Sequence, residues 1–175
     1  MNQHPLKEYQ RGWNEKFVAE SKKIRDILGG SIKDVQHIGS TSIPGMIAKP
    51  IIDIAVLVDS ISDTYFFVKK LESLGYSYKP EMSSVERIFL RKGNPVEYHL
   101  SIVCPIHTFW DRNIIFRDYL KNNPVLIEEY KKLKTENIKV TPEEDFEDLS
   151  LSKVYNEGKG DFVRKVLDLA EFNFR

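Results

Sequence analysis

Trp13, Phe17, Ile24 and Leu28 recur at offsets of four, seven and four, the period of one helical face, and Gly29-Gly30 supplies a stop. The first element is therefore predicted as a helix. Ile32 to Ile38 is short and followed by glycine, and reads as a strand with Val35 and His37 on one face. Pro50 to Val58 is nearly continuous β-branched and aliphatic residue, the pattern of a central strand covered on both faces, and Asp53 is the lone charge in it. Ser62 to Leu74 is predicted helical, with Phe66, Leu71 and Leu74 inward and Gly75 closing it. Arg87 to Arg91 and Val96 to Val103 flank the turn-rich Lys92-Gly93-Asn94-Pro95, which predicts a hairpin. On its second strand Val96, Tyr98, Leu100 and Ile102 share one face, and Glu97, His99 and Ser101 share the other.

The remainder reads as helices. Thr108 with Asp111 forms a capping-box pattern for a helix through about Asn122, with Ile115, Phe116, Tyr119 and Leu120 inward. Asn123-Pro124 starts another through roughly Lys139, carrying Leu126, Tyr130 and Leu133. Thr141-Pro142-Glu143-Glu144 is a further start signal, and a closing helix is predicted from about Tyr155 to Phe172 with Gly158 and Gly160 as local interruptions. The expected order is α-β-β-α-β-β-β and then helices.

Composition narrows the class. The 175 residues suit one hydrophobic core, so a single domain over 1–175 is expected, and 41% hydrophobic with 30% charged residues is ordinary globular usage. Lys plus Arg and Asp plus Glu are equal at 26 each, so no overall field draws the chain onto nucleic acid or an anionic membrane. Cys104 alone makes no intramolecular disulfide and no multi-cysteine zinc site, and fits a reducing compartment. The first residues lack the apolar run of a signal peptide, and no window approaches a membrane span. A cytoplasmic location is the expectation.

The stretch His37-Ile-Gly-Ser-Thr-Ser-Ile-Pro-Gly-Met-Ile-Ala-Lys-Pro-Ile-Ile-Asp53 carries the candidate chemistry. It puts a small-residue turn after one strand and a carboxylate in the next. Backbone N–H groups near Gly39 can approach phosphate oxygens, Ser40 and Thr41 add hydroxyls, and Lys49 adds a point charge. Asp53 can hold the Mg²⁺ that accompanies a nucleoside triphosphate. The same run also reads as a plain loop followed by a structural aspartate.

This run resembles the signature of the GrpB family. Flanking marks agree: Tyr9 and Trp13, Leu74-Gly75-Tyr76, Phe116-Arg117-Asp118-Tyr119-Leu120, and Tyr155, Lys159 and Phe162, so the resemblance covers nearly the whole chain. It implies the nucleotidyltransferase-like fold, an α/β (α+β) arrangement of a mixed β-sheet with packed helices and a helical C-terminal part. In active members of that wider superfamily a Gly-Ser turn holds the triphosphate, an Asp-x-Asp or Asp-x-Glu binds two metals, and a neighbouring strand adds a third carboxylate. Some GrpB relatives are fused to dephospho-CoA kinase, which points toward coenzyme or nucleotide metabolism.

Here the strand reads Asp53-Ile54-Ala55, so the second carboxylate of the pair is absent. The resemblance offers Glu97 as the third carboxylate and second metal ligand with Asp53, and His99 as a metal ligand or proton carrier. Arg117 and Lys121 are candidates for a basic rim, and Tyr155 with Lys159 for closing the pocket, although packing and a solvated face explain them equally. His37 reads either as a ligand or as a turn-stabilising ring. His4 and His107 have no supporting context. Three readings follow: Mg²⁺-dependent nucleotidyl transfer from a nucleotide to a small acceptor; a non-catalytic nucleotide or coenzyme A related binding module; and a metal-dependent phosphohydrolase.

Overall fold

A computed structural model describes residues 5–146, 148–149 and 151–170. The first helix, α1 (Gly12–Leu28), ends at Gly29 as the glycine pair requires, and β1 (Ile32–Ile38) follows. The central strand β2 (Ile52–Val58) begins after Pro50, and α2 (Thr64–Glu72) is trimmed at both ends relative to the expectation. Three strands follow: β3 (Tyr76–Tyr78), which the sequence reading counted without locating, β4 (Arg87–Lys92) and β5 (Tyr98–Val103). The helices α3 (Phe109–Lys121), α4 (Pro124–Val140), α5 (Lys153–Asn156) and α6 (Lys159–Leu169) complete the order.

The sheet runs β1-β2-β5-β4-β3. β2 lies antiparallel to β1 and parallel to β5, so Asp53 sits opposite Ile38 on one side and His99 on the other, and Ala55 sits opposite Ser101. Alternation then sorts the faces. Ile52, Ile54, Val56, Leu100 and Ile102 join Trp13, Ile24 and Leu28 of α1 and Phe67 and Leu71 of α2 in the main core. Asp53, His99 and Ser101 are thereby directed to the other face, where Ala55 and Val103 pack with Phe109 of α3.

A second core holds the C-terminal helices over that face. Phe116 and Leu120 of α3, Tyr130 of α4 and Phe162 and Val166 of α6 enclose Ile43 and Met46 from the loop before β2. Tyr130 and Phe162 stack in parallel at 4.5 Å, and Phe116 meets both edge-on. The turn that carries Ser40 is thus anchored by apolar residues of its own loop to helices formed much later in the chain.

Two local expectations change. Thr108 precedes α3, but its side chain makes no cap bond, so the capping box is not formed. The expected closing helix is broken: Gly158 adopts φ +68, and Asn137 of α4 donates to Tyr155 O and Glu157 O, satisfying carbonyls that the break releases. The break starts a new helix at Lys159. The expected helix end at Phe172 lies outside the described residues, as does His4.

Candidate functional site

Gly39 leaves β1 with φ +67, and a Cβ on it would lie 2.4 Å from Asp53 Oδ2. Only glycine lets the turn press its backbone against that carboxylate. Ser40, Thr41 and Ser42 form a single 3₁₀ turn, with Ser42 Oγ donating to Gly39 O at 2.6 Å. His37 fixes the turn from below. Its ring stacks on Phe17 at 4.9 Å, and its Nε2 lies 3.0 Å from Thr41 Oγ1, which itself donates to Ile51 O. That hydroxyl proton is committed, so Nε2 carries the hydrogen and donates to Thr41. Burial pulls the His37 pKa down to about 4, so the ring stays neutral and serves as a structural brace.

The turn opens into a cleft between the sheet and the C-terminal helices. A lobe of about 680 Å³ and a smaller one of about 310 Å³ share Ser40, Asp53, His99, Tyr130 and Lys159 in their walls. Gly39, Ser40, Asp53 and His99, each named from sequence, are brought together here. Asp53 Oδ1 lies 3.1 Å from His99 Nδ1. Lys49 and Thr41 line the smaller lobe, although the Thr41 hydroxyl is engaged by Ile51 and His37.

Two residues named from sequence lie elsewhere. Glu97 precedes β5, and its half-exposed carboxylate binds Lys16 Nζ at 2.9 Å, toward the helix on the sheet's other face. It lines neither lobe. The pair Asp53 and Glu97 is therefore not assembled as a metal site, and among the described residues no group of three or more His, Cys, Asp or Glu side chains is placed to hold an ion. Arg117 is likewise turned away: Nε and Nη2 grip the Asp118 carboxylate, and Nη1 donates to Gln36 Oε1 and His37 O. It clamps α3 to β1. Lys121 follows Arg117 toward Asp118.

The lysines of the cleft include one that sequence reading missed, Lys134, beside Lys49 and Lys159, which it named. Lys134 is 3% exposed, donates to Ser40 Oγ and to Ile47 O, and lies 4.5 Å from the Tyr130 ring centroid. Burial drives its pKa down to about 7, against the pull of Asp53 and with the push of Lys49. Lys159, aimed by the break at Gly158, sits over the Tyr155 ring and is driven to about 6 by burial and by Lys134 and Lys49. Lys49 is lowered by burial as well. Among the described residues none of the three is ion-paired with a carboxylate, and Asp53 is the only carboxylate lining either lobe. The signal for Lys134 was present in the sequence: Ile127, Tyr130, Lys134 and Ile138 form the buried stripe of α4, and a lysine on an apolar stripe calls for a partner.

A family model described as GrpB protein matches residues 4–169. The "UPF0157 protein YqkA" of Bacillus subtilis is 36% identical over 127 residues, covering 72% of this chain and 37% of that protein. The "Glutamate-rich protein GrpB" of Alkalihalophilus pseudofirmus is 31% identical over 166 residues, covering 91% of each. The chain thus spans well under half of one curated relative and nearly all of another. Among solved structures, GrpB from Enterococcus faecalis superposes with a TM-score of 0.80 at 33% identity, over 94% of this chain and 96% of that one. The Cid1 poly(U) polymerase bound to MgGTP superposes with a TM-score of 0.54 at 18% identity, over 77% of this chain and 45% of that one, a likeness of fold. The chain belongs to the GrpB family and carries the nucleotidyltransferase-like fold.

Proposed function

We propose that the cleft binds a nucleoside triphosphate, with the polyphosphate held by Ser40, Lys49, Lys134 and Lys159. The observation that supports this is the group of lysines gathered around Ser40 without carboxylate partners among the described residues. Cations driven below their ordinary pKa by burial and mutual repulsion gain most from an anion that enters between them. The Gly39 turn adds backbone N–H groups at short range.

Mg²⁺ commonly uses one or two carboxylates and takes its other ligands from phosphates and water, and Asp53 suffices for that arrangement. The ion would neutralise phosphate charge. A second ion does not fit these residues, because Ala55 and Ser101 stand where further ligands would be needed. Transfer chemistry finds support in the Asp53 and His99 pair. Asp53 accepts from Nδ1–H, which leaves Nε2 unprotonated in the neutral ring. An acceptor hydroxyl beside Nε2 would give up its proton there as its oxygen bonds to the α-phosphorus and pyrophosphate leaves.

Thermal unfolding with ATP, GTP, CTP and UTP, each with and without Mg²⁺, is the test. A triphosphate that binds the native state raises the midpoint by mass action, and Lys134→Met should abolish that rise. The proposal is wrong if no triphosphate shifts the wild-type midpoint, or if Lys134→Met responds as the wild type does. Pyrophosphate release that survives His99→Ala unchanged would remove His99 as the base, and no release by the wild type with any acceptor would leave a binding module.

A further inference from the structure

The larger lobe carries basic groups that the triphosphate reading does not use. Arg87 of β4 is half-buried; its Nη2 donates to Met82 O at 3.2 Å, and its guanidinium lies 4.6 Å from the Phe89 ring centroid and 5.4 Å from that of Phe109. Arg112, in the first turn of α3, lies 5.8 Å from the same Phe109 ring. The two forks share one aromatic ring. Among the described residues neither is ion-paired with a carboxylate, and burial together with Arg112 lowers the Arg87 pKa even though Asp53 opposes it. Two partly buried guanidiniums packed on one ring in one lobe are held against their own repulsion, an arrangement an oxyanion would relieve. Phe89 also touches His99, at 5.2 Å between ring centroids, so Arg87 stands one ring away from the imidazole, and Arg112 lines the same lobe.

We propose that the larger lobe is the co-substrate site, and that the co-substrate carries a phosphate or carboxylate which Arg87 and Arg112 hold while its hydroxyl faces His99. This rests on the reading of the lysine lobe as the triphosphate site. The lobe therefore selects small hydroxy-anions and rejects neutral or cationic acceptors of the same size. Arg87 supplies the fork in a fixed orientation, because Phe89 and Met82 hold it. Arg112, in the first turn of α3, supplies the second set of donors.

The experiment is a melting-temperature titration on protein saturated with Mg²⁺ and a non-hydrolysable ATP analogue. Glycerol 3-phosphate, 3-hydroxybutyrate, glycerol and ethanolamine serve as phosphate, carboxylate, neutral and cationic probes. One of the two anions should add a further rise, and which one does so identifies the oxyanion. Arg112→Gln should weaken that probe by ~10-fold or more while keeping the response to the ATP analogue. Arg87→Lys, which keeps the charge and loses the fork, should weaken it as well. The inference is overturned if neither anion adds a rise, if glycerol or ethanolamine adds an equal one, or if Arg112→Gln removes the response to the ATP analogue itself. Absence of any response to the analogue in the wild type counts against the triphosphate reading instead. In that case an Arg112-dependent response to an anion alone would still identify the oxyanion site.

Discussion

Gly39 and Asp53 occupy adjoining space, and the turn exists in this form because position 39 has no side chain. Gly39→Ala places a Cβ against Asp53 Oδ2 in a conformation that L residues rarely adopt, so we expect it to lose roughly 1–3 kcal/mol or more in urea unfolding. Removing the carboxylate in the Asp53→Ala background should return part of that loss, since the closest contacts, at 2.4 and 3.0 Å, are gone while the 3.1 Å approach to Cβ and the backbone strain remain; a double-mutant cycle measures the difference. Lys134 differs in kind, because its cost depends on pH. Its pKa is lowered from 10.5 to about 7 in the folded protein, so between those values the unfolded chain binds more protons. The penalty is fully present below about pH 7 and fades as pH rises toward 10.5. Stability without ligand should therefore climb across that window, and Lys134→Met should flatten the climb. A slope unchanged by Lys134→Met would mean that the lysine titrates normally. Anion binding should run the opposite way: phosphate raises the lysine pKa values, so affinity for ATP is expected to increase from pH 8 to pH 6, with proton uptake visible in calorimetry across buffers of different ionisation enthalpy.

At the scale of elements, the joint between α5 and α6 directs Lys159 into the cleft. Gly158 has φ +68, and a Cβ there would meet Leu133 at an ordinary 3.5 Å, so the obstacle to alanine is conformational rather than steric. Gly158→Ala should cost about 1–2 kcal/mol and should also reduce the ATP-induced rise in melting temperature, because straightening the joint turns Lys159 out of the cleft. A variant that loses stability but keeps the full ATP response would separate the joint from the site. On the far face, Glu20 of α1 is 1% exposed and accepts from Lys92 of β4 at 2.5 Å and from Lys23 at 3.1 Å. Burial raises its pKa, but these hydrogen bonds outweigh it and the net shift is downward, so this tie contributes above the unfolded carboxylate pKa and is lost as pH falls through the folded one. Glu20→Gln should weaken the protein near neutral pH by about 1–3 kcal/mol and make acid unfolding less steep.

Over the whole molecule the charges balance, yet the cleft is basic because its cations face only Asp53 among the described lining residues. The attraction is therefore local and screened within about 8 Å at physiological ionic strength. We expect no retention on heparin at about 0.15 M salt alongside a clear response to ATP at the same salt. Retention on heparin would reveal a wider basic surface. Among the described residues no helix is long and apolar enough to cross a membrane. The two cores are joined through the loop after β1: Ile43 and Met46 pack with the C-terminal helices, while Ala48 packs with the sheet. Filling the cleft should consequently stiffen both together.

The turn and strand from His37 to Asp53 were legible because their logic is local: glycine where φ is positive, a run of β-branched residues for a covered strand, and a carboxylate in that run needing a partner. The polar face of Val96 to Val103 marked His99 as a candidate, and the parallel pairing of β5 beside β2 made it that partner. Glu97 belonged to the same alternation on paper, but it sits where the chain leaves the turn for β5, and its carboxylate is taken by Lys16 of α1 on the other face. A three-residue edge strand, β3, is too short to show a period, and the break at Gly158 depends on Asn137, distant in sequence, bonding the released carbonyls. Lys134 left a trace in the apolar stripe of α4, whereas Arg87 and Arg112 drew their placement from tertiary structure alone. Only the packing of α3, α4 and α6 over the sheet removes water from these cations and gathers them around one cleft.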